Sequence, residues 1–397
     1  MSAEKTSLVT LPAPVSGPVD LLIVAGEHSG DEHAARMVRD LRARHPGLKV
    51  CALGGPELAA AGAQLLHDLT ATSVVGFVEV LKHYPFFKAL FAATLKWIAT
   101  HKPRAVCFVD YPGFNLRLAT QLKKRGLSVK GGGKIKLLYY ISPQIWAWKP
   151  KRRFSMARDL DAMAVIFPFE TDCYADTKLP VEFVGHPFLA DGYAPPVRYD
   201  PSGPALLLPG SRTQAVTKIF PLLLAGFADF RKTLPGARAT VLYPSNEVRR
   251  SLDRVFSQFP SLAGAVDFVR TSNDSAGGQA LPASAVLTSS GTMSLHCALA
   301  GIPGAVVYKT KTLTYWLGRM LVGVEFIGMA NLLLKEPMYP EFIQGGASAP
   351  ALGRQLREST TDPVRQKRTA EQAVKLRQLL HEPTGVTAAD WLARQLE

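Results

Sequence analysis

The chain has 397 residues, 47% of them hydrophobic and 20% charged, a balance that fits a packed globular protein and excludes a disordered or fibrous one. That length exceeds what a single core usually serves, so two domains are expected. The formal net charge of +14 calls for an anionic partner (nucleic acid, an acidic lipid surface or a phosphorylated substrate) without choosing among them.

Ahead of Val19 the chain carries Pro12, Pro14 and Pro18 in a stretch of mixed polarity, which reads as a flexible terminus over 1–18 and not as a signal peptide. The apolar run 21–24, ended by Ala25-Gly26, predicts a buried strand. A helix to about Arg44 follows, with Ser29 as its cap and Glu32 three residues on. Runs at 49–53, 105–109, 136–141 and 162–167 predict four more strands, with a helix over about 115–125. Strands separated by helical segments predict a parallel sheet covered on both faces. After the Pro195-Pro196 and 200–204 stretch, which has linker composition, the pattern restarts with strands at 205–208, 239–243, 284–288 and 304–308. The last forty or so residues read as charged helices. The expected architecture is α/β with two doubly wound halves: 1–18 flexible, 19–198 one domain, 199–355 a second, and 356–397 C-terminal helices. Ligands of such sheets bind at the carboxyl ends of the strands, so the expected site is the cleft of two facing sheets.

The four cysteines are far apart and form no C-x-x-C pair, which argues against zinc or a disulfide framework; Cys107 and Cys297 read as small core residues. No run of about eighteen apolar residues predicts a membrane-spanning helix.

Two runs carry most of the chemistry. Leu208-Pro209-Gly210-Ser211-Arg212 and Ser289-Ser290-Gly291-Thr292 each follow an apolar strand and open a helix. Helix starts and a guanidinium both favour doubly charged oxygens, so the pair suits a diphosphate. An Arg at a helix start is electrostatically misplaced unless an anion is near. Asp110 ends the strand at 105–109 and reads either as a general base for a hydroxyl nucleophile or as a turn-forming Asp. Glu27 and Ser29 lie at the equivalent turn after the first strand; Glu27 suits a sugar hydroxyl, while Ser29 reads locally as a cap. Asp159-Leu160-Asp161 has the D-x-D spacing of metal-dependent transferases but sits where turn and cap roles are expected, so no metal and no cofactor are predicted. Trp146 and Trp148 suit sugar stacking or the core, with core expected for at least one. Over 85–98, Phe86, Phe87, Leu90, Phe91 and Trp97 fall on a wide apolar arc with basic flanks. That arc suits either a bilayer interface or a core helix packed on two sides. The basic residues are dispersed apart from 149–153, and no nucleic-acid motif accompanies them.

Together these residues resemble the lipid-A-disaccharide synthase family, inverting glycosyltransferases of the GT-B fold. The resemblance runs in order from 25–31 through Gly54-Gly55-Pro56, 75–81, 110–117, 142–148, 168–170 and 183–187. It continues through 208–212, 290–292, 313–316, Asn331-Leu332-Leu333 and 340–344. It implies two Rossmann-like domains with C-terminal helices returning towards the first. It also implies transfer of a diacylglucosaminyl group from UDP-2,3-diacylglucosamine to the 6-hydroxyl of 2,3-diacylglucosamine 1-phosphate (lipid X), with release of UDP. By resemblance Asp110 matches the general base. Gly210, Ser211, Arg212, Ser290, Gly291, Thr292, His296, Asn331, Glu341 and Gln344 match the UDP-sugar site, and Glu27, Ser29 and Asn115 the acceptor half. The implied setting is cytoplasmic, peripheral on an anionic inner membrane, as monomer or homodimer, without nucleic acid. The chain departs from the family pattern at Tyr111, Gly113, Lys149 and His296, where the family has Ala, Asp, Arg and Glu. Another GT-B transferase or epimerase acting on UDP-N-acetylglucosamine, or a catalytically silent homologue, remains the alternative reading.

Overall fold

The computed structural model describes residues 9–73, 84–190, 193–271, 279–309, 325–381 and 385–397. The motif runs at 75–81 and 313–316 lie outside these. The chain divides into two compact units, Met1–Pro187 with Glu382–Glu397, and Phe188–His381.

In the first unit the strands are β1 (Leu21–Ala25), β2 (Val50–Gly54), β3 (Gln64–Asp68), β4 (Ala105–Val109), β5 (Lys136–Tyr140), β6 (Ala162–Val165) and β7 (Val181–Phe183). They form a parallel sheet in the order β3-β2-β1-β4-β5-β6-β7. Its helices are α1 (His28–Arg44), α2 (Pro56–Ala60), α3 (Thr70–Ser73), α4 (Tyr84–His101), α5 (Pro112–Lys124) and α6 (Arg152–Asp159). β1, β2 and β4 are buried at every position, the signature of a parallel strand covered on both faces. The β1–β4 register runs from Leu21 opposite Ala105 to Ala25 opposite Val109, so the two strands end level with each other. Connections run outward in opposite directions from this pair, which makes it the switch point where a crevice opens at the carboxyl ends.

Helix α4 serves the core. Leu90, Leu95, Trp97 and Ile98 are buried in the first unit's apolar cluster, and the Trp97 indole donates to the Pro12 carbonyl at 2.8 Å. Leu90 and Trp97 therefore face protein, correcting their assignment to a membrane surface. Phe86, Phe87 and Phe91 are half-buried. The expectation of a flexible terminus also fails over 9–18: Val9 and Leu11 pack on the core, and Gln64 bonds both the Ala13 carbonyl and the Val15 amide.

In the second unit β8 (Val197–Tyr199) and β12 (Leu281–Ala283) form a parallel two-stranded sheet. The main sheet contains β9 (Ala205–Leu208), β10 (Ala239–Tyr243), β11 (Val266–Arg270), β13 (Ala285–Thr288), β14 (Gly304–Tyr308) and β15 (Glu341–Ile343), ordered β11-β10-β9-β13-β14-β15. The proline-rich stretch read as a linker therefore lies inside the second unit, leading into β8. Helices α7 (Thr213–Thr233), α8 (Asn246–Phe256), α9 (Thr292–Leu299), α10 (Met329–Leu334), α11 (Ala349–Thr361) and α12 (Pro363–Leu380) belong to this unit. The last helix, α13 (Ala388–Leu396), packs on α1 of the first unit. Arg44 pairs with Asp390, and Arg394 reaches Glu182 at 2.8 Å. Cys107 and Cys297 are fully buried. No helix among the described residues is long and apolar enough to cross a membrane.

Candidate active site

Asp110 leaves β4 at the first switch point with φ 44°, and Tyr111 follows at φ 50°, two consecutive non-glycine residues in the left-handed region. Each such residue costs about 1–3 kcal/mol and persists only where its surroundings over-determine it. Those surroundings are explicit. The Asp110 amide donates to the Tyr140 carbonyl at 3.1 Å. Its carbonyl accepts from the Tyr139 hydroxyl at 2.6 Å and from Asn115 Nδ2 at 2.7 Å. Tyr139 and Asn115 are both fully buried. The Tyr111 ring lies over Gly26: a Cβ there would stand 2.2 Å from Tyr111 Cδ1, so only glycine leaves room for it. The Asp110 side chain is half-buried.

The same corner holds Glu170, a carboxyl in the 168–170 run of the resemblance to which the sequence gives no site role. Glu170 is 1% exposed, accepts from the Trp146 indole at 3.2 Å and from the Phe167 amide at 3.3 Å, and is pushed up to about 8 by burial, with the Asp110 charge adding to the rise. Burial, and then Asp110, also push Tyr139 well above the ordinary phenol range. Burial thus favours the protonated form of Glu170, and the Asp110 charge works in the same direction.

Several expectations change here. Asn115 was placed in the acceptor half. It is buried beneath the Asp110 turn, where Nδ2 faces the carbonyls of Val24, Val109 and Asp110 at 3.2, 3.4 and 2.7 Å. It ties the ends of β1 and β4 together and cannot touch a ligand. Ser29 does not cap α1, which starts two residues earlier than that cap would place it, with Glu27 as N-cap in extended conformation. Asp31 in that first turn reaches across instead, accepting from the amides of Gly55, Glu57 and Leu58 at the start of α2. Glu27 and Ser29 are half-buried at the mouth of the same crossing. Trp146 is half-buried against Phe169 and Trp148 is 41% exposed, so neither is core. Asp159 is held by Thr120 at 2.7 Å and by Arg158 at 2.7 and 2.8 Å, and Asp161 accepts from the Leu137 amide at 2.7 Å. Both carboxylates of the D-x-D run are thus tied into the protein.

The second switch point lies between β9 and β13, paired from Ala205 opposite Ala285 to Leu208 opposite Thr288. The Ser289 amide donates to the Leu208 carbonyl at 2.8 Å. Gly210 turns at φ 108°, and a Cβ there would stand 3.1 Å from Ser289 Oγ and 3.3 Å from Ala215 Cβ. The predicted runs 210–212 and 290–292 are therefore brought side by side. Arg212 is the exposed N-cap of α7 and Gly291 the exposed N-cap of α9, so two helix starts and one guanidinium share this crossing.

The remaining residues assigned to the UDP-sugar site divide by role. Asn331 is 1% exposed; Nδ2 donates to the Tyr339 carbonyl and to Glu341, while Oδ1 accepts from the Met338 and Tyr339 amides. That exhausts an amide's capacity, so Asn331 braces the loop and makes no direct ligand contact. Glu341 accepts from the Ile327 and Gly328 amides at 2.9 and 2.8 Å. Gln344 follows β15 at φ 53°. His296 is buried against Phe188, ring centroids 3.9 Å apart, and Tyr193 Oη lies 3.2 Å from its Nε2.

The family model described as lipid-A-disaccharide synthetase matches residues 21–395. The chain belongs to this family. It is 37% identical over 373 residues to lipid-A-disaccharide synthase 1 of Legionella pneumophila, covering 91% of this chain and 93% of that one. It is 34% identical over 370 residues to the lipid-A-disaccharide synthase of Geobacter metallireducens, covering 91% and 92%. Among solved structures, the glycosyltransferase of kitacinnamycin superposes with a TM-score of 0.56 at 15% identity over 96% of this chain and all of that one. At that identity the likeness speaks to the fold alone, which is GT-B with two Rossmann-like domains. The chain is thus a glycosyltransferase of the lipid-A-disaccharide synthetase family.

Proposed function

We propose that the chain transfers a 2,3-diacylglucosaminyl group from a UDP-linked donor to the 6-hydroxyl of 2,3-diacylglucosamine 1-phosphate, giving a β-1,6-linked disaccharide 1-phosphate and UDP. The observation that carries the reading is Asp110, an acid held at a ligand-binding crossing by a strained, fully braced backbone. Asp110 takes the proton of the acceptor hydroxyl as its oxygen attacks the anomeric carbon. The C1–O bond to the diphosphate breaks on the opposite face, so the anomeric configuration inverts. Negative charge then grows on the departing UDP. Arg212 and the backbone amides at the starts of α7 and α9 are fixed donors for that charge, so this reading needs no metal. Glu341, braced by Asn331, Gln344 and the Ser290–Thr292 turn complete the donor side, and Glu27 and Ser29 the acceptor side.

Both substrates carry acyl chains and phosphate, which gives the net charge of +14 a purpose at the anionic inner membrane. On α4, Phe86 and Phe91 pack on the core, and half-buried Phe87 is the aromatic that would enter that surface. A mass-resolved transfer assay with acylated donor and acceptor tests the reading. The expected result is one disaccharide phosphate formed per UDP released. Turnover of unacylated UDP-N-acetylglucosamine in place of the acylated donor would overturn it.

A further inference from the structure

The segment between β5 and α6 has a charge pattern that the reaction above does not use. Lys149, Lys151, Arg152 and Arg153 crowd into five residues around Pro150, and an open hollow of about 610 Å³ is lined by Lys149, Pro150, Lys151, Arg152 and Ser155. Arg153 is committed. It grips Asp176 at 2.7 and 2.6 Å and the Pro150 carbonyl at 2.8 Å, bracing the turn. The other three cations differ: among the described residues no carboxylate stands within ion-pair distance of Lys149, Lys151 or Arg152. What lies near two of them is the Trp148 ring, 4.1 Å from Lys149 Nζ and 5.7 Å from Arg152 Cζ. Lys149 holds its place through a left-handed backbone at φ 56°. The Ser155 hydroxyl donates to the Arg152 carbonyl at 2.8 Å, which leaves its oxygen able to accept. Three uncompensated cations held together at the start of a helix repel one another, and a compact dianion relieves that repulsion.

The loop that carries the hollow leaves the carboxyl end of β5, the strand paired with β4, where the Tyr140 carbonyl accepts the Asp110 amide at 3.1 Å. Burial and Asp110 raise the Tyr139 phenol, and the Arg152 charge pulls it back; the Tyr139 hydroxyl is the group that holds the Asp110 carbonyl. Arg152 is half-buried, whereas Trp148 and Phe154 are exposed at 41% and 49%. Lys149 and Lys151 are exposed like those rings, so Arg152 is the cation of the three that is drawn in.

We infer that Lys149, Lys151 and Arg152 form a phosphate-monoester subsite that holds the 1-phosphate of the acceptor while Asp110 receives its 6-hydroxyl. The inference rests on the proposed transfer reaction and adds to it an anchor for the far end of the acceptor sugar. Two ammonium groups and a planar guanidinium suit the three terminal oxygens of a monoester better than the single bridging charge of a diester.

The test uses the full chain in detergent with two acceptors, diacylglucosamine 1-phosphate and the same sugar blocked as its 1-O-methyl glycoside. Wild type is expected to prefer the phosphorylated acceptor in kcat/KM. Lys149→Ala combined with Arg152→Ala should lower that preference by about tenfold or more through the acceptor KM. Arg250→Ala, an exposed cation of the second unit, serves as control and should retain the wild-type preference. An unchanged preference in the double variant overturns the inference. So does a loss that is equal for both acceptors and seen only with substrates in vesicles, which would assign the hollow to the membrane surface. If wild type transfers to neither acceptor, the proposed reaction fails instead. The subsite is then read by calorimetry with glucosamine 1-phosphate, which wild type should bind about tenfold or more tightly than the double variant; equal binding overturns it.

Discussion

At the first crossing the chain leaves β4 through Asp110 and Tyr111, both left-handed and neither glycine, whereas at the second it leaves β9 through Gly210 at φ 108°. The contrast follows from what each turn has to present. In the proposed reaction a diphosphate would be gripped by backbone N–H groups and by Arg212 two residues on, so the turn itself needs no side chain and glycine adopts the conformation without strain. A general base is a side chain, and glycine cannot supply it. The first crossing therefore accepts a strained Asp and holds it with Tyr139, Asn115 and the Tyr140 carbonyl, while Gly26 on the neighbouring strand yields the space that Tyr111 needs.

The contrast breaks most visibly at Asp110 itself. Asp110→Asn keeps the size and the tolerance for a left-handed backbone but removes the base, and kcat should fall by about 10²–10⁴. A rate within twofold of wild type would place the base elsewhere. Next comes the brace. Gly26→Ala drives a Cβ into the Tyr111 ring and should cost about 1–3 kcal/mol of stability along with a large share of turnover. Adding Tyr111→Ala removes the obstructing ring and should restore both, as read from a double-mutant cycle of melting curves and rates. Failure of the second substitution to rescue the first would show that Gly26 acts independently of the Asp110 turn.

The smallest effect concerns Glu170. Burial raises its carboxyl to about 8 in the folded state, against 4.5 for the solvent-exposed carboxyl of an unfolded chain. Below pH 4.5 both states hold the proton and the contribution is fully present. As pH rises towards 8 the unfolded state gives up its proton first, so stability is lost across that window. Glu170→Gln should flatten this slope and gain about 1–3 kcal/mol on wild type near pH 8. Parallel urea melts at pH 5 and 8 measure it, and an equal slope in the two proteins would mean that Glu170 is already ionised.

The central strands were legible because burial on both faces writes an unbroken apolar run. Ala105–Val109, Ala205–Leu208, Ala239–Tyr243 and Gly304–Tyr308 fall where that run places them. Edge strands were not: Gln64–Asp68 and Val181–Phe183 are half-buried at most positions and mix charge with apolar residues, so they read as loop. The same limit governed the site. Asp110 and Arg212 were legible from their places after buried strands. Tyr139 was not, because it acts through a tertiary contact with no local signal, and Glu170 lies in a motif of the resemblance whose contact with the Asp110 corner no local pattern shows. Asn115, Asn331 and Ser29 lie in the right motifs with different work to do: Asn115 is buried with its Nδ2 turned to backbone carbonyls, Asn331 is buried and bonds backbone and Glu341, and helix α1 begins before Ser29. Residues that hold a site and residues that touch its ligand share the same motifs, and only the hydrogen-bond partners separate them.

Calorimetric titration of UDP into wild type, Asp110→Asn and Arg212→Ala tests the division of labour most directly. The account predicts that Asp110→Asn binds UDP as wild type does, while Arg212→Ala binds it about tenfold or more weakly, the loss expected for a charged hydrogen-bond donor to phosphate. Weakened binding in Asp110→Asn together with wild-type binding in Arg212→Ala would contradict it.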